Sequence, residues 1–304
     1  DLLVRYVHDS RPTNGYFYYI CLNQKTSSMK NALYTLLYIG MAIPGALNAQ
    51  VYADSDRKTE IAFEAGERLE YAVSYKIGIV NVDVATVKFA VSSAKVNGTE
   101  CFHVRATGDV SPRYTWFYNL HDVYNTWLDK SDLRPVYFSN DLSEDDYRFR
   151  SSYNYDWNTM TVFTKAHNLN RNEVREKRYP ISANSYDAVS LFFNIRSLDV
   201  SKMVPDRPYP IEVVFADTVR NLNYRYIGNE KLNIKGVGSI NTLVFKCQLA
   251  DASGNAFEDG SEFTIWISDD KNRIPIAVNS PIKVGSVKVR LTSYKGLRFP
   301  LTVE

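Results

Sequence analysis

The chain has 304 residues, with 36 Lys and Arg against 34 Asp and Glu, so its formal net charge at pH 7 is +2. Charges of both signs are interspersed along the chain and form no basic face of the kind that nucleic-acid binding requires, so we expect no nucleic-acid partner. The length suits one large β domain or two smaller modules.

The N-terminal part of the chain is typical of a secretory signal peptide. A charged opening at Met29-Lys30 is followed by a short apolar run, which ends at Pro44-Gly45, and then by the small residue Ala49. The apolar run has about a dozen residues, whereas a membrane-spanning helix needs about 20. The pattern therefore predicts a cleaved signal peptide over residues 29–49 and no transmembrane span in the mature form.

An export signal that starts at residue 29 changes how the flanking segments are interpreted. We expect residues 1–28 to be a non-native upstream leader and residues 50–60 to be a disordered lead-in. Loss of residues 1–49 removes four basic and two acidic residues, which leaves a neutral chain. The mature protein is expected to be soluble and periplasmic.

From Leu69 onward the sequence alternates between apolar and polar residues, which predicts half-buried antiparallel strands. Gly78 ends the first strand, and Asn97-Gly98 predicts a two-residue hairpin turn. Strands are predicted at 69–77, 79–92, 101–107, 123–128, 146–155, 160–165, 211–216, 222–227, 232–235, 241–249, 262–267, 274–279 and 284–294. Many short strands with turn signals between them predict a sandwich or a barrel.

One segment, residues 185–197, has clear helical spacing. Ser185 is the expected N-cap, and Asp187 places negative charge in the first turn. Apolar residues then recur at helical intervals, at Ala188, Leu191, Phe192 and Ile195. The predicted fold class is mainly β: a strongly curved antiparallel sheet or incomplete β-barrel with one packed helix at about 185–197.

Two segments of the sequence resemble each other, residues 127–136 and residues 266–276. Each segment contains the end of a strand with a Trp, then an acidic turn, then a second strand that has a Pro at its start. The similarity indicates that the β domain over residues 61–304 has two similar halves, 61–182 and 205–304, around the helix. Coincidental hairpin chemistry is the alternative.

Catalytic and metal-binding motifs are missing from the sequence. It has no Gly-x-Ser-x-Gly, no His-Glu-x-x-His and no Cys-x-x-Cys pattern. We therefore expect no cofactor, no metal and, on balance, no enzymatic activity. A cell-envelope hydrolase is the alternative, with His103, His121 and the acidic residues 144–146 as the first places to look for a catalytic pair.

An aromatic and basic stretch gives the candidate ligand-binding residues. Tyr and Trp offer flat apolar faces with polar tips, and Arg offers planar donors, which suits a glycan or an amphipathic ligand such as a lipid. The candidate residues are Tyr147, Arg148, Arg150, Tyr153, Tyr155 and Trp157. The alternative is an amphipathic strand whose aromatic residues pack into the core and whose arginines pair with acids.

Two cysteines remain after signal cleavage, Cys101 and Cys247. An exported location permits a disulfide between them. The alternative is two buried free thiols, because each lies in a strand-like pattern.

Several segments together resemble a bacterial exported family catalogued as domain of unknown function 3108. They are Phe63–Tyr71, Ser185–Leu191 with Arg196, Trp266–Pro275 and Pro281–Leu291, so the resemblance covers most of residues 60–295. It implies a periplasmic, largely antiparallel β protein, and it implies no reaction. The Trp-turn-Pro hairpin is also similar to hairpins of periplasmic lipoprotein carriers, and the signal exit is similar to Bacteroidota export signals.

These observations together predict an exported soluble protein that binds an amphipathic or glycan ligand, or is associated with the cell envelope, without catalysis. A structural partner of an outer-membrane assembly is a further alternative, for which an exposed apolar patch would be the mark. The sequence does not define the oligomeric state.

Overall fold

The computed structural model describes residues 60–116, 118–250, 262–282 and 285–303. The described residues form one sheet of fifteen strands and one α-helix, α1, Ala188–Asn194, followed by a 3-10 turn over Ile195–Ser197. The strands are β1 Arg68–Ile77, β2 Val80–Val96, β3 Thr99–Val110, β4 His121–Asp129, β5 Pro135–Glu144, β6 Tyr147–Asp156, β7 Thr161–Asn168, β8 Glu173–Pro180, β9 Ser185–Tyr186, β10 Tyr209–Val214, β11 Val219–Ile234, β12 Gly238–Ala250, β13 Phe263–Ser268, β14 Pro275–Pro281 and β15 Ser286–Lys295. The predicted leader, the predicted signal peptide and nearly all of the predicted lead-in lie outside the described residues.

The strands follow one another across the sheet in two meanders that meet in the middle. Their order is β8 to β1 and then β15 to β9, so that β1 pairs with β15. Neighbouring strands are antiparallel, apart from the short parallel pair β9–β10. The predicted mainly β, antiparallel fold is therefore confirmed.

The two ends of the sheet come into contact. Thr164 on β7 donates a hydrogen bond from its hydroxyl to the carbonyl of Ala216 at 3.0 Å, and Tyr179 on β8 donates to the carbonyl of Asp217. Residues 216–217 form the turn after β10, near the other end of the sheet. The sheet is thus curved strongly enough to approach closure, as expected of an incomplete barrel.

The hairpin prediction at Asn97-Gly98 is confirmed. Both residues have positive φ, 49° and 89°, and Val96 pairs with Thr99 across the turn. This is the geometry of a type I′ turn, which Asn and Gly adopt at low cost because both residue types tolerate the left-handed region of backbone conformation.

The helix begins two residues later than predicted, and its N-cap is Asp187 instead of Ser185. One Asp187 carboxylate oxygen accepts from the backbone N–H groups of Val189 and Ser190, each at 2.9 Å, while the Ser190 hydroxyl accepts from the Asp187 N–H. This reciprocal arrangement is a capping box. Ser185 cannot cap the helix because it is part of β9, where its hydroxyl donates to Glu212.

Two strand predictions are wrong. Residues 222–227 and 232–235 belong to the single strand β11, whose pairing with β12 shifts register between Tyr226 and Gly228. The irregularity interrupts the alternation, so the sequence looks like two strands. Strand β8 was not predicted because it is an edge strand with charged residues on both faces, and such strands show no apolar alternation.

The helix packs against the side of the sheet that we call the inner face. Phe192 stacks on Phe89 of β2 with ring centroids 4.4 Å apart, and it makes an edge contact with Tyr71 of β1 at 5.8 Å. Residues on β11, β12, β14 and β15 complete this core, namely Ile234, Ile240, Ile276 and Leu291. The inner face is therefore the buried side of the sheet.

The two similar Trp-turn-Pro segments adopt closely related hairpins. In β4–β5, Leu128 pairs with Pro135, and in β13–β14, Ile267 pairs with Pro275. Each pairing shifts register directly after the Trp, and each turn contains a residue with positive φ. The two-half organisation of residues 61–182 and 205–304 stays a prediction.

Candidate functional site

The six predicted ligand residues do not share one face of β6. Tyr147, Tyr153 and Tyr155 lie on the inner face, while Arg148 and Arg150 project from the outer face and are exposed. Trp157 lies in the turn after the strand. A single groove lined by all six residues is not formed, and ligand binding by them stays a prediction.

The outer arginines have local partners. Arg150 forms an ion pair with Asp141 on β5 at 2.9 Å, and Arg148 donates to the carbonyls of Asp145 at 2.6 Å and Tyr147 at 3.0 Å. Exposed ion pairs of this kind contribute little to stability. The arginines therefore stay accessible at the surface.

The aromatic residues on the inner side of β6 pack on their neighbours. Tyr153 stacks on Phe138 of β5 with centroids 4.6 Å apart, and Tyr155 stacks on Trp157 at 5.7 Å. The Trp157 indole N–H donates to the carbonyl of Pro135 at 2.9 Å. These rings make a fixed aromatic wall on the inner face.

Polar side chains are buried beside this wall. We call them the inner polar cluster: Asp122, Tyr124, Thr126, Asn140, Glu144, Ser151, Tyr153, Tyr155, Thr164 and Asp187. They project from β4, β5, β6 and β7 and from the start of α1 because alternate residues of each strand face inward. Burial of so many polar groups requires hydrogen bonds among them.

Most members of the cluster satisfy one another. The amide oxygen of Asn140 accepts from both the backbone N–H and the hydroxyl of Ser151, each at 2.8 Å. The Thr126 hydroxyl donates to the carboxylate of Asp187 at 2.9 Å, which ties β4 to the start of the helix. The cluster thus consists of small hydrogen-bonded groups that lie on neighbouring strands.

Two carboxyl groups at one end of the cluster influence each other. Burial, and then the charge of Glu144, raise the pKa of Asp122 to about 7. Asp122 accepts from the Ser143 N–H at 3.1 Å, and Glu144 accepts from the Tyr118 hydroxyl at 3.1 Å. At neutral pH Asp122 is therefore protonated for about half of the time.

The carboxyl group of Asp187 lies in the middle of the cluster. Complete burial raises its pKa to about 6, although the hydrogen bonds from Ser190, Thr126 and Val189 act in the opposite direction. Like Asp122, Asp187 can therefore exchange a proton close to neutral pH.

One polar group of the cluster has no partner. The hydroxyl of Tyr155 is buried and makes no hydrogen bond, and its pKa is raised well above the usual value by burial, by Asp187 and by Tyr153. An unsatisfied buried hydroxyl costs about 1–3 kcal/mol. Unsatisfied groups of this kind mark positions where a ligand or water can supply the missing bond.

Of the histidines proposed for the hydrolase alternative, His103 lies on the outer face of the sheet and His121 lies at the start of β4. The ring of His103 lies 3.4 Å from the Ser92 hydroxyl and 2.9 Å from the Asn125 amide oxygen, and it stacks on Trp127. His121 bonds Asp109 at 2.6 Å in an exposed pair. Ser, His and Asn are the residue types of a nucleophile, a base and an orienting group. The backbone N–H groups of the interior strands β3 and β4 are used in the sheet, however, and are not available as oxyanion donors.

Of the acidic residues 144–146, only Glu144 faces the inner polar cluster, while residues 145 and 146 form the turn between β5 and β6. Asp122 was not among the predicted site residues. Its inward position was nevertheless readable, because it is in phase with Tyr124, Thr126 and Leu128 along β4. Among the described residues, no group of three or more His, Cys, Asp or Glu forms a metal-binding arrangement.

Both cysteines are buried free thiols. This matches the alternative to a disulfide. Burial, with a smaller effect of Glu262, raises the pKa of Cys247 to about 12, so the reactive thiolate is strongly disfavoured there.

A buried ion pair connects the helix region with the start of β1. The guanidinium of Arg196 donates to both carboxylate oxygens of Glu67, at 2.5 and 2.9 Å, and to the carbonyls of Asn272 and Ala62. It also lies over the ring of Phe63 at 5.1 Å. The guanidinium makes four hydrogen bonds that join three segments of the chain, so we assign this pair to the framework that holds the site.

The fold and the site define an antiparallel, barrel-like β protein with a buried polar cluster on its inner face. The chain belongs to the family described as "Protein of unknown function (DUF3108)", whose model matches residues 70–292. The family expected from the sequence is thereby confirmed. No curated protein shows a significant match to the chain.

Two solved structures are similar to the chain. The "Beta-barrel-like Protein of Domain of Unknown Function DUF1849" from Brucella abortus is 12% identical, with a TM-score of 0.50 over 76% of this chain and 97% of its own. A second structure, described as a "putative lipoprotein" from Parabacteroides distasonis ATCC 8503, is 8% identical, with a TM-score of 0.30 over 79% of this chain and 100% of its own. The first similarity supports the barrel-like fold. No helix among the described residues has the length and apolar character needed to cross a bilayer.

Proposed function

We propose that the protein is an exported, soluble periplasmic or envelope-associated binding protein without catalytic activity, whose inner polar cluster holds an amphipathic or glycan ligand. The observation that carries the proposal is the buried, unpartnered hydroxyl of Tyr155 among aromatic rings and other hydroxyls. Rings of Tyr and Phe pack on alkyl chains and on the apolar faces of sugars, and hydroxyl, amide and carboxyl groups bond the ligand's hydroxyls.

The place of entry follows from the way the sheet ends meet. Among the described residues, the bonds from Thr164 and Tyr179 to the turn at 216–217 join the two ends, and no backbone ladder joins β8 to β9 or β10. Side-chain bonds of this kind open more easily than a continuous ladder, because local opening follows the least protected contacts. We propose that the ligand reaches the cluster at this seam.

Calorimetric titration of the exported protein with three probes tests the proposal. Octyl glucoside has both an alkyl chain and a sugar, octanoate has the chain alone, and cellobiose has the sugar alone. We expect octyl glucoside to bind more tightly than either of the others. A wild-type protein that binds none of the three would contradict the proposal.

Two matched variants locate the binding site. Tyr155→Phe removes the unpartnered hydroxyl and is expected to weaken octyl glucoside binding about tenfold, which corresponds to one lost hydrogen bond of about 1.4 kcal/mol. Tyr71→Phe is the control, because its hydroxyl is also buried and unpartnered but lies near Arg196 and Glu67. Equal effects of the two variants would argue against binding at the inner polar cluster.

The hydrolase alternative has one observation in its favour. Glycoside hydrolysis uses two carboxyl groups, of which one is protonated near neutral pH, and Asp122 beside Glu144 meets that condition. Hydrolysis of p-nitrophenyl β-glucoside that is lost in Asp122→Asn would support this alternative. Hydrolysis that is unchanged in the variant would exclude these two residues as its catalytic pair.

A further inference from the structure

The hairpin formed by β1 and β2 extends past the neighbouring strand β3. The pairing of β2 with β3 ends at Ala85 and Val110, and the Ser111 N–H then bonds the Val84 carbonyl. Residues 80–83 at the start of β2 pair with β1 alone. At about 3.3 Å per residue, the overhang from Val84 to Ile79 is roughly 16 Å long.

The tip of this hairpin is apolar and exposed. Ile79, in the turn, has a relative exposure of 103%, and Val80 is 48% exposed. Hairpin turns normally carry Gly, Asn, Asp or Ser, so a fully exposed Ile next to an exposed Val is unusual in this turn. Trp116, which is 77% exposed, lies in the loop after β3, at the same end of the sheet as the hairpin tip.

Basic residues accompany the apolar tip. Asp83, the acidic residue of the overhang, is neutralised by Arg290 on β15 at 2.5 Å. Lys76 and Arg113 are exposed and have no carboxylate partner among the described residues. The acidic turn at residues 145–146, between β5 and β6, lies at the same end of the sheet. Strands β3 and β4 separate this turn from the β1–β2 hairpin. The charge next to the tip is therefore positive.

We propose that this end of the sheet, which we call the apolar rim, docks on the surface of an anionic lipid bilayer. The apolar rim consists of Lys76, Ile79, Val80, Arg113 and Trp116. Isoleucine and valine enter the interface, Trp lies at the level of the headgroups, and the two cations contact anionic lipids. This inference is independent of the proposed ligand site on the inner face.

The small size of the tip favours a bilayer over a protein partner. A specific protein interface buries about 1,200–2,000 Å² with a complementary patch of 20–30 residues a side, whereas the tip offers two exposed apolar side chains. Immersion of each apolar side chain is expected to strengthen binding about tenfold, and each cation about fivefold on an anionic surface. The contact is thus reversible.

Co-sedimentation of the exported protein with vesicles tests the proposal. We expect binding to phosphatidylethanolamine vesicles that contain phosphatidylglycerol, and weaker binding to phosphatidylcholine vesicles and at high salt. The double variant Ile79→Ser/Val80→Ser should bind the anionic vesicles about 100-fold more weakly. The control Val204→Ser, which removes a 53% exposed valine in the segment between α1 and β10, should bind like the wild type.

A second measurement shows which part of the protein enters the bilayer. Brominated lipids should quench more of the tryptophan fluorescence in Ile79→Trp than in the wild type, in which Trp116 already contacts the headgroups, whereas Val204→Trp should add no quenching to that of the wild type. Because Ile79 and Val204 are exposed, all variants are expected to keep the wild-type unfolding midpoint. Absence of vesicle binding by the wild type, or equal binding by the double variant and the wild type, would overturn the proposal, and a protein partner would then be the better explanation of the rim.

Discussion

Removal of Arg196 tests whether the buried ion pair holds the framework together. Both side chains of the Arg196–Glu67 pair have zero exposure, and the guanidinium makes four hydrogen bonds that link α1, the segment before β1 and the β13–β14 hairpin. Arg196→Met keeps much of the side-chain volume but leaves the Glu67 carboxylate buried without a cation. Such a break costs about 3–5 kcal/mol.

The double variant separates the ion pair from the packing around it. Replacement of both members by Met removes the uncompensated charge, and substitutions of this kind are often neutral or stabilising. We therefore expect Arg196→Met/Glu67→Met to be more stable than Arg196→Met alone, with a coupling free energy of about 2 kcal/mol or more. Cavities and lost bonds to the carbonyls of Asn272 and Ala62 would reduce the recovery.

Urea denaturation followed by tryptophan fluorescence provides the measurement. In a separate thermal denaturation, the expected loss of about 3–5 kcal/mol of unfolding free energy in Arg196→Met corresponds to a fall of roughly 6–20 °C in melting temperature for a domain of this size. Lys95→Met is the control, because it breaks the exposed pair Lys95–Glu100, whose side chains are both 61% exposed, and should cost less than about 1 kcal/mol. The reasoning is refuted if Arg196→Met costs no more than the control, or if the two single changes at Arg196 and Glu67 simply add.

Two further predictions concern the inner polar cluster. Without ligand, Tyr155→Phe should leave the free energy of unfolding unchanged or raise it by about 1 kcal/mol, because it removes a buried hydroxyl without a partner; a loss above 1 kcal/mol in urea denaturation would show that this hydroxyl is bonded in solution. Because the pKa of Asp122 is about 7 in the folded state and near 3.8 in the unfolded state, the folded state binds more protons between these values, so this residue makes stability fall as pH rises from about 4 to about 7. Asp122→Asn should therefore flatten the pH dependence of the unfolding free energy by on the order of 4 kcal/mol over this range, at about 1.36 kcal/mol per pKa unit, whereas Asp146→Asn in the exposed turn should not. An unchanged slope in Asp122→Asn would be inconsistent with a raised pKa.

The sequence was sufficient for several of the strands that have one buried face, although β5 is missing from the predicted strands. Along β1 and β6 the apolar residues alternate with polar ones, so the inward side is readable from spacing. The turn at Asn97-Gly98 was readable because its residue types match its backbone. Strand β8 was not, because an exposed edge strand needs charge in place of alternation.

The site was only partly predictable, because it depends on contacts between distant segments. The choice of residues on β6 combined both faces of the strand, although the alternation itself assigns Arg148 and Arg150 to the outer one. Asp122 is in phase with buried neighbours, but a carboxyl group is usually exposed, and no local rule shows that Glu144 and Tyr124 lie beside it. Likewise, Glu67 and Arg196 are 129 positions apart, and only the curved sheet brings them together.

The framework and the site make opposite use of buried charge. Arg196 and Glu67 are buried charges of opposite sign that are paired with each other, and the arrangement fixes the position of α1 on the sheet. In the inner polar cluster the buried acids Asp122, Glu144 and Asp187 have no basic partner in the described part of the chain, and Tyr155 has an unused hydroxyl. The buried charges are thus compensated in the framework and uncompensated in the inner polar cluster, and a stable fold tolerates the uncompensated ones. The unsatisfied region is therefore where an external ligand gains most by binding, and the paired region is what keeps that region in place when the ligand is absent.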